Sequence, residues 1–409
     1  MENHRNYLYG NKSDQESALV NLKKIAENIK YLPAQNVLKN EGIDHKKNNS
    51  NICYLCHGIF SSTEKFISET IKKLEDLEFN TFLIGTKPKS QIINKEDAFK
   101  TEFKILEAES FKSHFNRVIG KALMGLLQKS PEFTHPDILL IYSVSYESFE
   151  IETILKSLFI YGRYNKFIRG IPQTHWFCKN CMGNGCKLCD YTGKQYQISV
   201  EDLVSPEFIK ETKSTDSKFH GAGREDIDVK MLGSGRPFVL ELRNPKIRNL
   251  DLTRLTKKVN KRSRKKIKIQ ELRYSNKNKV IKLKSEAKDT KKVYRAKVKA
   301  NNKISKEDFD KLILKLKKIL ENNEIRQRTP HRVSHRRADK IRKKIIHKIE
   351  GKFIKNDFFE FIIETQGGTY IKELISGDNR RTSPSFSEIF GIPLVCKELD
   401  VLEIVTLKP

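Results

Sequence analysis

Apolar and polar positions change period along the chain, and the changes mark out its elements. Residues 15–48 carry an amphipathic helical pattern that runs into a polar stretch, and a helical pattern returns over roughly 63–78. The run FNTFLIGT (79–86) is short, apolar and glycine-closed, which predicts a buried strand. A helix is expected over roughly 109–129, and PDILLIYSV (136–144) predicts a second strand set up by Pro136. Helix alternating with strand indicates a layered α/β or α+β domain. Another helix is expected around 200–212. From Phe219 onward β-branched residues dominate, with turns at Gly221–Gly223 and Gly233–Gly235. Over 252–300 the apolar positions Val280, Ile281, Leu283, Val293, Ala296 and Val298 interleave with lysines, a pattern that suits long basic β-hairpin arms better than a core. One clear helix covers 305–322, and the last 60 residues return to strand patterning in FFEFIIET and LEIVTL. No internal repeat is present.

At 409 residues the chain exceeds one ordinary core, so two or three domains are expected. Its charge sharpens that division. Residues 1–200 hold 27 basic and 22 acidic side chains (net +5), and residues 201–409 hold 52 and 29 (net +23). The segment 243–300 alone holds 23 basic against 4 acidic residues. A lysine-rich solvated surface explains part of this excess, but its concentration in one half points to a polyanionic partner, and nucleic acid is the usual one. The segment Tyr161–Thr174 interleaves rings with Arg163, Lys166 and Arg169, a composition that fits stacking on bases and also fits the cap of a sheet. No apolar stretch approaches the roughly 20 residues that span a bilayer. The opening MENHRNYLYGNK has no apolar signal region. The protein is therefore expected to be cytoplasmic, without a membrane partner, where paired cysteines indicate metal rather than disulfides.

Six of the seven cysteines occur as C-x-x-C pairs. Cys178, Cys181, Cys186 and Cys189 form two pairs separated by four residues, with Gly183 and Gly185 between them. Small residues there let the backbone fold back so that four thiolates converge on Zn²⁺, which predicts a structural zinc knuckle. Cys53 and Cys56 offer two ligands to a second site, share a site with a distant pair, or stay free thiols. Cys396 reads as a core thiol.

The segment GAGREDIDVKMLGSGRPF (221–238) packs two arginines and three carboxylates into a glycine-rich loop between strands. Read blandly, these are turn formers. The density of opposite charge exceeds what a turn needs, and an arginine beside a carboxylate keeps the acid ionised in a site that excludes water. Gly223-Arg224-Glu225-Asp226 resembles the G-R-x-D motif of pseudouridine synthases. The fuller string resembles the archaeal-type family that modifies uridines 54 and 55 in the TΨC arm of transfer RNA. Lys292-Val-Tyr294-Arg-Ala296 is similar to that family's second motif, and Thr365 to Leu374 to its third. The run Arg328 to Asp339, the blocks Gly377-Asp378 and Arg381 to Ser385, Tyr161 to Trp176 and the cysteine knuckle follow in the family's order. Cys53 and Cys56 resemble its N-terminal pair. Lys230 departs from the pattern, standing where an arginine is common.

The resemblance implies an α+β protein in two parts. Residues 1–195 would form an α/β THUMP-like RNA-binding domain with the zinc knuckle. Residues 196–409 would form a catalytic domain on a mixed, mostly antiparallel sheet, with basic arms around 243–300. It implies Asp226 as the catalytic carboxylate, nucleophile or base at the ribose or the uracil. Tyr294 would stack on the flipped base and act as a general base, and Lys372 would pair with Asp226 with Leu374 beneath it. Tyr370 would make a second substrate contact, and Arg224 and Arg236 would set a positive field. Isomerisation involves no redox step or group donor, so no catalytic cofactor is expected beside structural zinc. The partner is transfer RNA, and no obligate protein partner is implied. Two other readings are weighed against this one. A methyltransferase or sulfur-transferring enzyme needs a nucleotide loop that Gly233-Ser-Gly235-Arg-Pro does not supply. A non-catalytic tRNA-binding or chaperone protein on the same scaffold has no use for an intact Asp226, Tyr294 and Lys372.

Overall fold

In the computed structural model, the described residues are 12–28, 32–44, 52–103, 105, 107–286 and 290–406. They fall into two compact units, residues 1–156 and 157–409. The cysteine knuckle thus lies in the second unit, upstream of the residue-195 boundary expected from sequence. The polar end of the 15–48 segment lies outside the described residues, and the rest is two helices, α1 (Lys12–Asn28) and α2 (Leu32–Asn40).

The first unit is an α/β layer. Helices α3 (Thr63–Leu74), α4 (Ser90–Glu102) and α5 (Phe111–Leu127) accompany strands β1 (Thr81–Pro88), β2 (Ser130–Pro131), β3 (Ile138–Val144) and β4 (Phe149–Leu155). The sheet runs β2-β1-β3-β4, with β1 parallel to β2 and β3, and β4 antiparallel to β3. Strict alternation along β3 buries Ile138, Leu140, Tyr142 and Val144 against Phe66 of α3 and Phe115 of α5. Tyr142 meets Thr70 through a 2.5 Å hydroxyl contact, which satisfies the phenol at the centre of that core. Helix α4 is missing from the sequence expectation because its face is short. Of its 13 residues only Ile92 and Glu96 are buried.

The second unit is built on one sheet of ten strands. In chain order its elements are β5 (Leu158–Lys166), α6 (Val200–Thr212), β6 (Asp216–Gly221), β7 (Val229–Arg243), α7 (Leu252–Arg262), β8 (Ile267–Ser275), α8 (Lys277–Glu286) and β9 (Thr290–Ala300). Then follow α9 (Lys306–Leu320), β10 (Glu324–Arg328), β11 (Ile341–Lys355), β12 (Phe358–Gln366), α10 (Ile371–Ser376), β13 (Thr382–Ser383), α11 (Phe386–Phe390) and β14 (Leu394–Thr406). The spatial order is β13-β10-β11-β12-β9-β14-β7-β5-β8, with β6 on β7. Neighbouring strands are antiparallel except where Leu399–Val401 of β14 runs parallel to Val229–Met231 of β7. The α+β class and the mixed, mostly antiparallel sheet are as expected.

The basic arms over 243–300 are not β-hairpins. That stretch alternates helix and strand, and its two strands pair inside the sheet: β8 with β5, and β9 between β12 and β14. Four of the six apolar positions taken for exposed alternation are core positions, Val280 and Leu283 on α8 and Ala296 and Val298 on β9, while Ile281 is exposed and Val293 half-buried. The segment Tyr161–Thr174 is likewise structural. Tyr164 and Lys166 are wholly buried on β5, and the Tyr161 ring lies 4.0 Å beneath the Arg273 guanidinium.

A cluster of phenylalanines closes the far side of the sheet. Phe309 of α9 stacks on Phe359 at 4.7 Å and contacts Phe353, Phe361 and Phe390. Phe309→Ala is expected to lower the unfolding free energy of this unit by roughly 3–5 kcal/mol, the cost of a large cavity in a packed core. Urea unfolding followed by circular dichroism checks it.

Candidate active site

The glycine-rich loop 222–228 joins β6 to β7 and carries two adjacent carboxylates with opposite fates. Gly223 has φ +74°, and a Cβ there would stand 3.4 Å from Arg236 Nη1 and 3.7 Å from Lys292 Nζ. Those are ordinary contacts, so it is the left-handed backbone rather than lack of space that favours glycine at this position. Glu225 turns inward and is 6% exposed. Its Oε2 accepts hydrogen bonds from Arg236 Nε at 2.8 Å and the Tyr164 hydroxyl at 2.9 Å, and Lys166 Nζ stands 3.6 Å from Oε1. Gln173 Nε2 donates to Tyr164 Oη at 2.8 Å and to the Gly223 carbonyl at 3.0 Å. Lys166 Nζ donates to the carbonyls of Ile171, Asp226 and Ile227 at 2.9, 3.2 and 3.3 Å, so β5 grips the loop backbone directly. Burial works against the Arg236 charge, yet Glu225 outweighs it and holds the guanidinium above its ordinary range. Lys166 moves the other way, because burial there exceeds the attraction of Glu225.

Asp226 faces outward into a cleft. Arg332, from the 3-10 turn His331–Arg336, places Nη1 at 2.8 Å from Asp226 Oδ2. The same guanidinium is held by Glu373 of α10, with Nε 2.6 Å from Oε1. Burial opposes the Arg332 charge, but Glu373 and Asp226 together raise its pKa above the usual range. The Asp226 counter-ion is therefore permanent across physiological pH.

Lys372 differs from its expected role. Its ammonium donates to Asp228 Oδ1 and Oδ2 at 2.8 and 2.6 Å and lies 3.8 Å from Asp226 Oδ2. Helix α10 sets Lys372 over the second carboxylate of the D-I-D sequence, and the close partner of Asp226 is Arg332. Burial of Asp228 favours its protonation, but Lys372 outweighs that and lowers its pKa. Leu374 is wholly buried beneath, as expected.

The cleft encloses about 810 Å³ of open space, with Asp226, Tyr294, Tyr370, Lys372, Arg224 and Arg236 all on its walls. Tyr294, on the central strand β9, is 8% exposed. Burial raises its phenol to about 12, with Asp226 and Glu225 adding to the rise and Arg236 opposing it. The ring is thus held neutral at physiological pH, which suits a stacking platform better than a general base. Tyr370 caps α10. Its hydroxyl accepts from Arg337 Nη1 at 2.9 Å, and Gln327 bonds both its backbone N–H and carbonyl at 2.9 Å. Arg224 stands over the Trp176 ring at 5.1 Å. Arg236 touches the cleft, but its charge is engaged by Glu225 rather than offered as a field. Sequence reasoning gave no role to Glu225, Arg332 or Glu373, and read Lys166 only as part of a segment suited to RNA or to a sheet cap. Glu225 and Arg332 stood inside matched motifs, but only folding shows what they bind.

Apart from this cleft, the four Sγ atoms of Cys178, Cys181, Cys186 and Cys189 lie within 4.8 Å of one another. Cys178–Cys186, Cys181–Cys189 and Cys186–Cys189 are separated by 3.9, 3.8 and 3.7 Å. Tetrahedral sulfurs about 2.3 Å from an ion stand about 3.8 Å apart, so the set fits a metal ion. Backbone N–H groups of Gly185, Cys186 and Gly193 donate to these sulfurs at 3.2–3.3 Å, as thiolates require. In the first unit Cys53 and Cys56 hydrogen-bond each other, which lowers the Cys53 thiol to about 6 and raises its partner. Among the described residues no third ligand joins that pair.

Residues 159–405 match the family model described as Pus10, C-terminal, and residues 66–143 the one described as Pus10 THUMP domain, archaeal. The tRNA pseudouridine synthase Pus10 of Methanocaldococcus jannaschii is 45% identical over 392 residues, covering 94% of this chain and 82% of its own. That of Methanothermobacter marburgensis is 42% identical over 354 residues, 86% of either chain. Among solved structures, a Cbf5-Nop10-Gar1 complex aligns with 48% of this chain and 43% of its own at 19% identity and a TM-score of 0.29, an overlap too slight to carry weight.

The two loop carboxylates separate cleanly in an unfolding experiment. Glu225→Ala strands Arg236 and Lys166 in the interior and is expected to cost roughly 3–5 kcal/mol of stability. Asp226→Ala leaves Arg332 with Glu373 in a half-exposed setting and is expected to cost less than about 1 kcal/mol. Denaturant titrations of both variants test the contrast.

Proposed function

The chain belongs to the Pus10 family of tRNA pseudouridine synthases, and from that premise we propose that it isomerises uridines 54 and 55 in the TΨC loop of transfer RNA through Asp226. The enzyme is an isomerase. In the reaction the C1′–N1 bond breaks, the uracil turns, a C1′–C5 bond forms, and the proton on C5 is exchanged for one on N1. The composition of the substrate is unchanged and no carbon or nitrogen is oxidised overall, so no donor or electron carrier enters. The observation that carries the assignment to Asp226 is its position: a carboxylate held by the Arg332 guanidinium at 2.8 Å, on the wall of a cleft that Tyr294 also lines. Arg332 orients the carboxylate for attack or proton transfer. Tyr294, neutral and buried along one edge, stacks on the flipped base. Lys372 acts through Asp228, holding the loop on the far side of Asp226. Arg224 and Tyr370 contact the nucleotide at the mouth. Flipping a base out of the folded arm costs a few kcal/mol, which contacts to phosphate offset.

The knuckle Cys178–Cys189 would hold a structural zinc ion, a closed site of four thiolates that stabilises its own loops and leaves no position open for chemistry. The purified protein should carry one equivalent of zinc per chain by elemental analysis. Stripping it with a chelator should lower the melting temperature without changing the cleft residues.

Unmodified tRNA transcript incubated with the protein alone should yield pseudouridine in the TΨC loop, mapped by position. Asp226→Asn should bind the transcript with similar affinity and lose on the order of a thousandfold or more in single-turnover rate. Tight binding without product from the wild-type protein would leave the tRNA-binding or chaperone reading in its place.

A further inference from the structure

The Asp226 cleft adjoins a second cavity, open to solvent, with which it shares lining residues. Seven of the residues lining that cavity are lysine or arginine, and none is aspartate or glutamate. Lys292, Arg224, Arg337, Gly368 and Tyr370 line both spaces, so they mark the junction. Of these Lys292 is the most unusual. It is 7% exposed, and its Nζ has no hydrogen-bond or ion-pair partner among the described residues. Its buried neighbours differ. Arg236 has Glu225, and Lys166 has three carbonyls. An ammonium without an anion in such surroundings is unfavourable. Burial, together with repulsion from Arg236 on β7 and Lys344 on β11, brings its pKa down to about 7, and Glu225 on the loop offsets this only in part. An anion arriving beside it would restore the full charge.

Strand geometry indicates which anion. Lys292 and Tyr294 sit two residues apart on the same buried face of β9, opposite Thr365 and Ile363 of β12. One pleat, about 7 Å, separates them, comparable with the reach from a nucleobase to the backbone phosphate next to it. Resting on the synthase reading above, we propose that Lys292 seats a phosphodiester adjacent to the flipped uridine, at the step between the base cleft and the basic groove. The groove then carries the following phosphates, and Lys292 fixes how far the base reaches toward Asp226.

The test uses the full-length protein and tRNAs assembled by ligation, each carrying a single uncharged methylphosphonate 5′ or 3′ of a target uridine. Wild-type affinity should fall roughly tenfold or more for one of the two, as for loss of one charge-assisted contact. Lys292→Met should show the same loss on unmodified tRNA and no further loss on that methylphosphonate. Its plot of log affinity against log salt should be shallower by about one unit, and Lys292→Arg should restore it. Independent, additive losses would overturn the proposal. So would an unchanged salt slope with a reduced saturating rate, which would put Lys292 on the uracil ring. The wild-type comparison needs no variant to fold, and no loss at either phosphate overturns the seat on its own. If these couplings appear while unmodified tRNA gives no pseudouridine, the seat stands and the synthase reading fails.

Discussion

Glu225 is a carboxylate in an interior where an unpaired charge is untenable, and the groups that satisfy it come from separated parts of the chain. Tyr164 and Lys166 arrive on β5, Arg236 on β7, and Gln173 acts through the Tyr164 hydroxyl. Because residues 224–226 run without helical structure, drawing Glu225 inward sends its neighbours outward. Arg224 and Asp226 reach the cleft as a consequence. Asp226, the carboxylate proposed for catalysis, owes its position to the residue beside it, and the rest of the cleft is arranged around that loop. Arg332 and Lys372 then meet Asp226 and Asp228 from the opposite side, each holding one acid of the pair.

Lysine and arginine take three distinct roles in this protein, which the overall charge conceals. Lys166 is a structural tether whose ammonium replaces water as the partner of loop carbonyls. Arg236 and Arg332 are counter-ions, each tied to a carboxylate by geometry that a lysine would not reproduce. Seven lysines and arginines share the wall of the second cavity, to which no aspartate or glutamate contributes, and a polyanion there lowers their mutual repulsion. A net charge of +28 thus includes interior charges that stabilise the fold and exterior ones that await a ligand.

Much of this was legible in the sequence. Helix α6 was expected over 200–212 and forms there, because Ser199 caps it and Val200, Val204 and Phe208 recur on one face. The strands β1 and β3 follow from short apolar runs that a helix could not bury. Four cysteines at metal spacing announced their own cluster. The failures have a common cause. Alternating Lys and Val in β9 is the pattern of an exposed hairpin and equally of a central strand with most of its basic residues on one face of the sheet, and only the partners decide. Tyr164 and Lys166 read as RNA contacts because composition does not report direction. The motif pointed to Asp226, yet its counter-ion, Arg332, stands more than a hundred residues away in a turn with no periodicity. A pairing across such a distance leaves no local trace.

Strand β14, near the C-terminal end of the described residues, lies not at an edge but between β7 and β9. A sheet whose middle strand is synthesised after its flanks cannot close until that strand has left the ribosome. Until residues 394–406 are released, the half bearing Asp226 and the half bearing Tyr294 have no common hydrogen-bonded strand between them. Such a long-range topology folds slowly and exposes two open strand edges meanwhile. Those two open edges are the surfaces most exposed to misassembly during that interval.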